Sequence, residues 1–161
     1  MVDKETLKNL INAAHENNVS FISDEIYHGI QYENNPTTAL EITDKCYVIN
    51  SFSKYFSMTG WRIGWMIVPE DHVRQVERLS QNLFICPPHV SQLTALSAMD
   101  ADIELNENVN VYKKNREILL EELPKAGLGK FSPPDGAFYI MLIFLNTPII
   151  ASISVRKYYI K

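Results

Sequence analysis

Cysteine is scarce in this chain. Cys46 and Cys86 are the only two, too few for a disulfide framework and without CxxC spacing, which points to a reducing compartment, the cytoplasm. Cys86-Pro-Pro-His89 could be half of a metal site. Two ligands do not make a zinc site, however, and no matching pair occurs elsewhere, so the expectation is no metal. Also missing is any basic stripe or block. The formal charge is -4, and the scattered Lys and Arg offer no path for a nucleic-acid backbone, so nucleic acid is not an expected partner. The N-terminus lacks a secretory signal, because Met1 leads straight into Asp3-Lys4-Glu5 with no apolar segment behind it. Long hydrophobic runs are absent with one exception. Residues 137–155 carry no charge and precede Arg156, Lys157 and Lys161. Asn146-Thr147-Pro148 interrupts that run, and a membrane span needs about 20 predominantly apolar residues, so the expectation is a buried strand with an irregular tail and no membrane insertion. No internal repeat or low-complexity segment is present.

What the chain does have is the composition of a soluble globular domain: 46% of residues are apolar and 21% charged, enough for a sizeable core and unlike a disordered or fibrous protein. Leu7, Leu10, Ile11 and Ala14 recur at helical spacing between Asp3 and Asn17, with Asp3 placed to cap the helix. Three short β-prone runs follow, at Val19–Ser23, Cys46–Asn50 and Ile63–Val68, the last stopped by Pro69. Strands of this kind, separated by helices or long connections, belong to largely parallel α/β sheets. Helical patterns then cover Glu70–Leu83, His89–Met99 and Glu104–Leu123, the last expected to end before Pro124. Loop residues from Gly127 to Gly136 precede a β-like stretch, Ala137–Leu145.

Three groups of residues stand where an α/β sheet places a ligand, at or just beyond the carboxyl ends of strands. They are Asp24 with Tyr27, Ser51-Phe52-Ser53-Lys54, and Gly60-Trp61-Arg62-Ile63-Gly64. Each has a plain structural reading on its own: a helix cap, a packing aromatic, a solvated lysine, half of a surface ion pair. Together, the strings SDEIYHGIQY, NSFSKYFSMTGWRIGW and PPDGAFY resemble, in order and spacing, the cofactor-binding core of fold-type I pyridoxal-phosphate (PLP) enzymes, particularly the class I and II aminotransferases. The resemblance runs from residue 1 to about Tyr139.

The resemblance implies an α/β fold in three layers, α/β/α, with a mostly parallel sheet and flanking helices. Residues 1–125 would belong to the PLP-binding large domain, 126–145 to the start of the small domain, and 146–161 to an atypical tail. It further implies that Lys54 is the lysine that condenses with the cofactor aldehyde and then works as general acid/base. Asp24 would face the pyridine nitrogen, where a carboxylate favours the protonated ring that acts as electron sink. Tyr27 would bond the ring oxygen. Ser51, Arg62 and, more weakly, Ser53 would anchor the phosphate, a task for which an arginine offers a planar charged fork.

The implied reaction exchanges an amino group between an amino acid and a 2-oxo acid, in a protein that is a homodimer at full length. Family members are more than twice this length, and the sequence after Tyr139 departs from the family pattern. A chain truncated at both ends, and inactive alone, is therefore expected. The alternatives on the same scaffold are a PLP-dependent lyase or synthase, a regulator's aminotransferase-like module, or a non-catalytic fragment.

Overall fold

Asp3 stops the extended N-terminus and starts the first helix, because its carboxylate accepts the Thr6 N–H at 2.9 Å and so satisfies one of the donors a helix start leaves open. This bond and a second from the Thr6 hydroxyl at 2.7 Å hold the Asp3 carboxyl below its ordinary range. Helix α1, Lys4–Glu16, turns Leu7 and Ile11 inward onto a cluster with Ala39, Cys46 and Val48. This computed structural model describes residues 1–143 and the backbone of Ser152–Ser154. Apart from that backbone, the candidate tail 146–161 lies outside the described residues, as does the uncharged stretch from 144 on. No helix among those described is long and apolar enough to cross a membrane.

Strands β1, Phe21–Asp24, and β2, Cys46–Ser51, pair in parallel, with Phe21 opposite Cys46 and Asp24 opposite Ile49. Strand β3, Gly64–Ile67, pairs with β2 in the antiparallel sense, Ser51 opposite Gly64. The three-stranded sheet is thus mixed, and the expected mostly parallel arrangement holds only for β1 and β2. The reason lies in residues 52–63. They fold back as a closed loop, tied at its neck by the Phe52 N–H on the Ile63 carbonyl at 3.2 Å, instead of crossing over, so β3 must run backwards.

Alternation along the strands sends Phe21, Cys46 and Val48 to the face under α1. Ile22, Ile49 and Met66 take the opposite face and are exposed. Among the described residues the sheet therefore has helical cover on one face, and the second covering layer of the expected three-layer arrangement is not among them.

Beyond Pro69 come α2, Val73–Leu83, α3, His89–Ala98, and α4, Asp102–Lys125. The expected stop before Pro124 is not observed, since Pro124 sits inside the last turn of α4. The helix is ended by Gly127, at φ 80°. The Leu128 N–H reaches the Leu123 carbonyl at 2.9 Å and the Gly127 N–H reaches the Pro124 carbonyl at 3.0 Å. That pair of bonds is the Schellman termination that a left-handed glycine permits. Within the β-like stretch expected over Ala137–Leu145, Tyr139–Met141 forms β4, paired antiparallel with β5, Ser152–Ser154, while Phe144 and Leu145 lie outside the described residues. Ile140 and Leu142 pack with Leu123 in a separate cluster under the end of α4.

Candidate functional site

The register of the sheet decides which residues share an edge. The carboxyl ends of β1 and β2 and the amino end of β3 lie together, so Asp24, Ser51 and the Arg62-Ile63-Gly64 turn meet at one rim.

Asp24 is exposed there, its carboxylate accepting the Ile26 N–H at 3.2 Å. Glu25, one residue on, points the opposite way and is buried, 4% exposed. One of its oxygens accepts from the Ser23 hydroxyl at 3.0 Å, the Thr38 hydroxyl at 3.0 Å and the Ala39 N–H at 2.8 Å. The chain then turns through residues 26–30, with the Ile30 N–H on the Tyr27 carbonyl at 3.0 Å. Gly29 sits at φ 98°, where a Cβ would come within 2.4 Å of the Tyr55 ring. Glycine is required here both for the backbone angle and for the approach of this turn to the lysine loop.

The loop 52–63 is held from within. The Ser53 N–H donates to Ser51 Oγ at 3.0 Å, the two serine oxygens are 3.0 Å apart, and Ser51 Oγ reaches the Ile63 carbonyl at 3.1 Å. Thr59 Oγ1 donates to the Ser53 carbonyl at 2.6 Å. Phe52 and Met58 are buried against Ala95 of α3. Arg62 occupies the left-handed region, φ 53°, is exposed and donates from Nη1 to the Thr59 carbonyl at 3.0 Å. Its other donors meet no acceptor among the described residues.

Lys54 extends from this rigid loop with its amine 5.6 Å from the centroid of Tyr27 and 5.6 Å from that of Phe138. No carboxylate or hydrogen-bond acceptor among the described residues engages it. The Tyr27 ring meets Phe138 and Tyr139 edge-on at 5.5 and 5.8 Å. Beside the amine opens a cavity of about 370 Å³, walled by the lysine loop, by one face of α4 and by residues 134–140.

The structure thus brings Lys54 to Tyr27, Ser51 to Ser53, and Arg62 to Thr59. Of the six residues singled out in the sequence, Ser53 and Lys54 line the cavity, whereas Asp24, Tyr27, Ser51 and Arg62 do not. The sequence reading missed Asn108, Tyr112, Asn115 and Arg116 of α4, which line it. Their signal was present as a polar stripe at spacings of four, three and one along a helix, the pattern of a single face. It does not stand out because α4 is polar on most of its surface.

Comparison with known proteins bears on this arrangement. Residues 1–148 match the family model described as Aminotransferase class I and II. The chain is 45% identical over 126 residues to a valine–pyruvate aminotransferase of Mycobacterium tuberculosis, an alignment covering 76% of this chain and 32% of that protein. It is 34% identical over 158 residues to an aspartate aminotransferase of Sulfurisphaera tokodaii, covering 96% and 40%. Among solved structures, one assigned as an aminotransferase from Silicibacter pomeroyi superposes with a TM-score of 0.85 at 63% identity, over 88% of this chain and 38% of that one. The chain therefore spans between 32% and 40% of the length of these relatives.

Proposed function

The chain belongs to the class I and II aminotransferase family, and on that premise we propose that it carries the cofactor-lysine region of a PLP-dependent aminotransferase that moves an amino group between an amino acid and a 2-oxo acid. The observation that supports this most is the Lys54 amine. It is held on a rigid loop at the sheet rim, faces two aromatic rings and engages no acceptor among the described residues.

The residues present fit the cofactor. A phosphate-bearing aldehyde needs an uncommitted amine, hydroxyls and a guanidinium for the phosphate, and a carboxylate for the ring nitrogen. Lys54, Ser51 with Ser53, Arg62 and Asp24 supply these at one edge. When bound, PLP supplies an aldehyde to take the amino group and a ring to withdraw electrons from it. Lys54 is the residue that would hold the aldehyde through its Nζ, and its amine would carry the proton at the substrate α-carbon. The Asp24 carboxylate would face the ring nitrogen and favour its protonated form, and the Tyr27 phenol would donate to the ring oxygen. Ser51 and Ser53 would offer their hydroxyls to the phosphate, together with the Arg62 donors that lack a partner among the described residues. In this reading residues 1–125 form part of the large domain and 126–145 begin the small one. The family-length protein works in the cytoplasm as a homodimer.

The test is reductive trapping. The chain is incubated with PLP, treated with borohydride and mapped by peptide mass spectrometry. The expected result is a single modified site at Lys54, lost in Lys54→Ala. Arg62→Lys should weaken retention by roughly 10- to 100-fold, the worth of one charge-assisted bond of about 1.5–3 kcal/mol. Label spread evenly over the other lysines, or unchanged in Lys54→Ala, would refute the assignment.

A further inference from the structure

Arg116 is nearly buried, its side chain 13% exposed, and it meets three partners in two other segments at once. Its Nε–H donates to the Pro134 carbonyl at 2.6 Å, its Nη2 pairs with Glu33 at 2.6 Å, and its guanidinium plane lies 5.4 Å from the centre of the Tyr32 ring. Those partners belong to segments that are themselves joined. The Tyr32 N–H donates to the Asp135 carbonyl at 2.9 Å, the Ala137 N–H to the Ile30 carbonyl at 2.8 Å, and the Tyr32 hydroxyl to the Ala137 carbonyl. Ala137 is therefore bonded at both its N–H and its carbonyl, and it stands at φ 60°. A residue with a Cβ persists in that left-handed region only where its surroundings over-determine it. The next residue is Phe138, whose direction that turn sets, and its ring lies 5.6 Å from the Lys54 amine.

We infer that Arg116, acting with Tyr32 and Glu33, is a positioning clamp that holds Ala137 in its left-handed turn and so seats Phe138 against the Lys54 amine. The inference deepens the reading of Lys54 as the cofactor lysine and rests on it for its functional meaning. An arginine suits the task because one planar fork reaches a backbone carbonyl and a carboxylate while its cationic carbon lies 5.4 Å from the centre of a ring, which a lysine ammonium cannot do. Burial pushes the Tyr32 phenol up to about 12, so the hydroxyl remains a donor to Ala137 throughout the neutral range. Seated in this way, Phe138 walls one side of the amine and limits its approach to the cavity side. Arg116 touches neither amine nor substrate in this scheme and acts through residues 134–138.

The experiment uses the 161-residue chain with lysines reductively methylated with ¹³C-formaldehyde. The Lys54 dimethyl signal is assigned by its absence in Lys54→Ala. In the parent chain that signal is expected upfield of the exposed lysines, shifted by the ring currents of Tyr27 and Phe138. In Arg116→Lys and in Tyr32→Phe, which deletes one hydroxyl, it loses most of that displacement while far-UV circular dichroism is unchanged. Ala137→Gly, which keeps the clamp and accepts the same φ without strain, retains it. An undisplaced parent signal, or a displacement kept in both Arg116→Lys and Tyr32→Phe, overturns the clamp. Should Arg116→Lys unfold, Tyr32→Phe reads the same step. PLP trapping on separate, unmethylated samples of the same chains reports independently. A parent chain with the displaced Lys54 signal but no trapping at Lys54 removes the cofactor reading, and loss of the displacement in the two variants still establishes the clamp.

Discussion

Replacing Glu25 with alanine leaves three donors without the oxygen they share, and their environments set the size of the effect. The Ser23 and Thr38 hydroxyls are part-buried and can rotate toward water, so their lost bonds contribute little. The Ala39 N–H cannot, because Ala39 is 0% exposed and its amide has nowhere to turn. A buried donor left unmet costs about 1–3 kcal/mol, and the hole left by the removed side-chain carbons adds about 1 kcal/mol more. Glu25→Ala should therefore destabilise by about 3 kcal/mol, a large share of the roughly 5–15 kcal/mol typical of a domain. Glu25→Gln keeps an oxygen for the Ala39 N–H but turns the second oxygen, which lies 3.4 Å from His28 Nδ1, into an amide, so the loss should be about 1 kcal/mol. Urea unfolding followed by far-UV circular dichroism measures both, with constant m-values required for the comparison. If Glu25→Ala falls within 1 kcal/mol of the parent chain, the carboxylate is not what holds the 38–39 turn to the sheet edge. If Gln is as damaging as Ala, charge and not acceptor geometry is the operative term.

Gly29→Ala should lower stability by about 1–3 kcal/mol, from the positive φ together with the Tyr55 clash. PLP trapping at Lys54, next to Tyr55, should fall with it, and an unchanged melting temperature would contradict the close approach. Because the Tyr32 phenol is raised in the folded chain from 10.0 to about 12, the unfolded chain loses that proton first as pH rises. Its stabilising effect is therefore complete below pH 10 and is lost between pH 10 and about 12. Denaturation series across that window should show a shallower decline in Tyr32→Phe than in the parent. Helices α2 and α3 and the segment between them expose Leu83, Phe84, Ile85, Leu93 and Leu96, with Ile85 at 79% and Leu96 at 70%, a surface that favours association. Ile85→Lys with Leu96→Lys should shift the chain toward monomer in size-exclusion chromatography at little change in unfolding midpoint, and an unchanged elution profile would show that this surface is not the one that associates.

Local residue chemistry was enough to place most elements and the strand ends beside which the proposed site residues lie. The spacing of Leu7, Leu10 and Ile11 with Asp3 before them specifies α1 and its cap. The short β-prone runs specify β1 to β3 within a residue or two, and the Ser51–Lys54 and Arg62 strings follow from where those strands stop. These are properties of neighbours in sequence, for which helix and strand periods and capping bonds are sufficient. Other features depend on partners far along the chain. Both Asp24 and Glu25 are acids at a strand end, and only the placement of Thr38 and Ala39 decides that Glu25 is the buried one. The direction of β3 depends on how residues 52–63 close upon themselves. The α4 stop lies at Gly127 because the bonds to Leu123 and Pro124 form there, although Pro124 has no N–H to offer the Leu120 carbonyl. Arg116 and Phe138 join Lys54 from 62 and 84 positions away, through a strained alanine turn that no local preference favours. Packing supplies the free energy that holds such a turn, so only the tertiary structure could decide it.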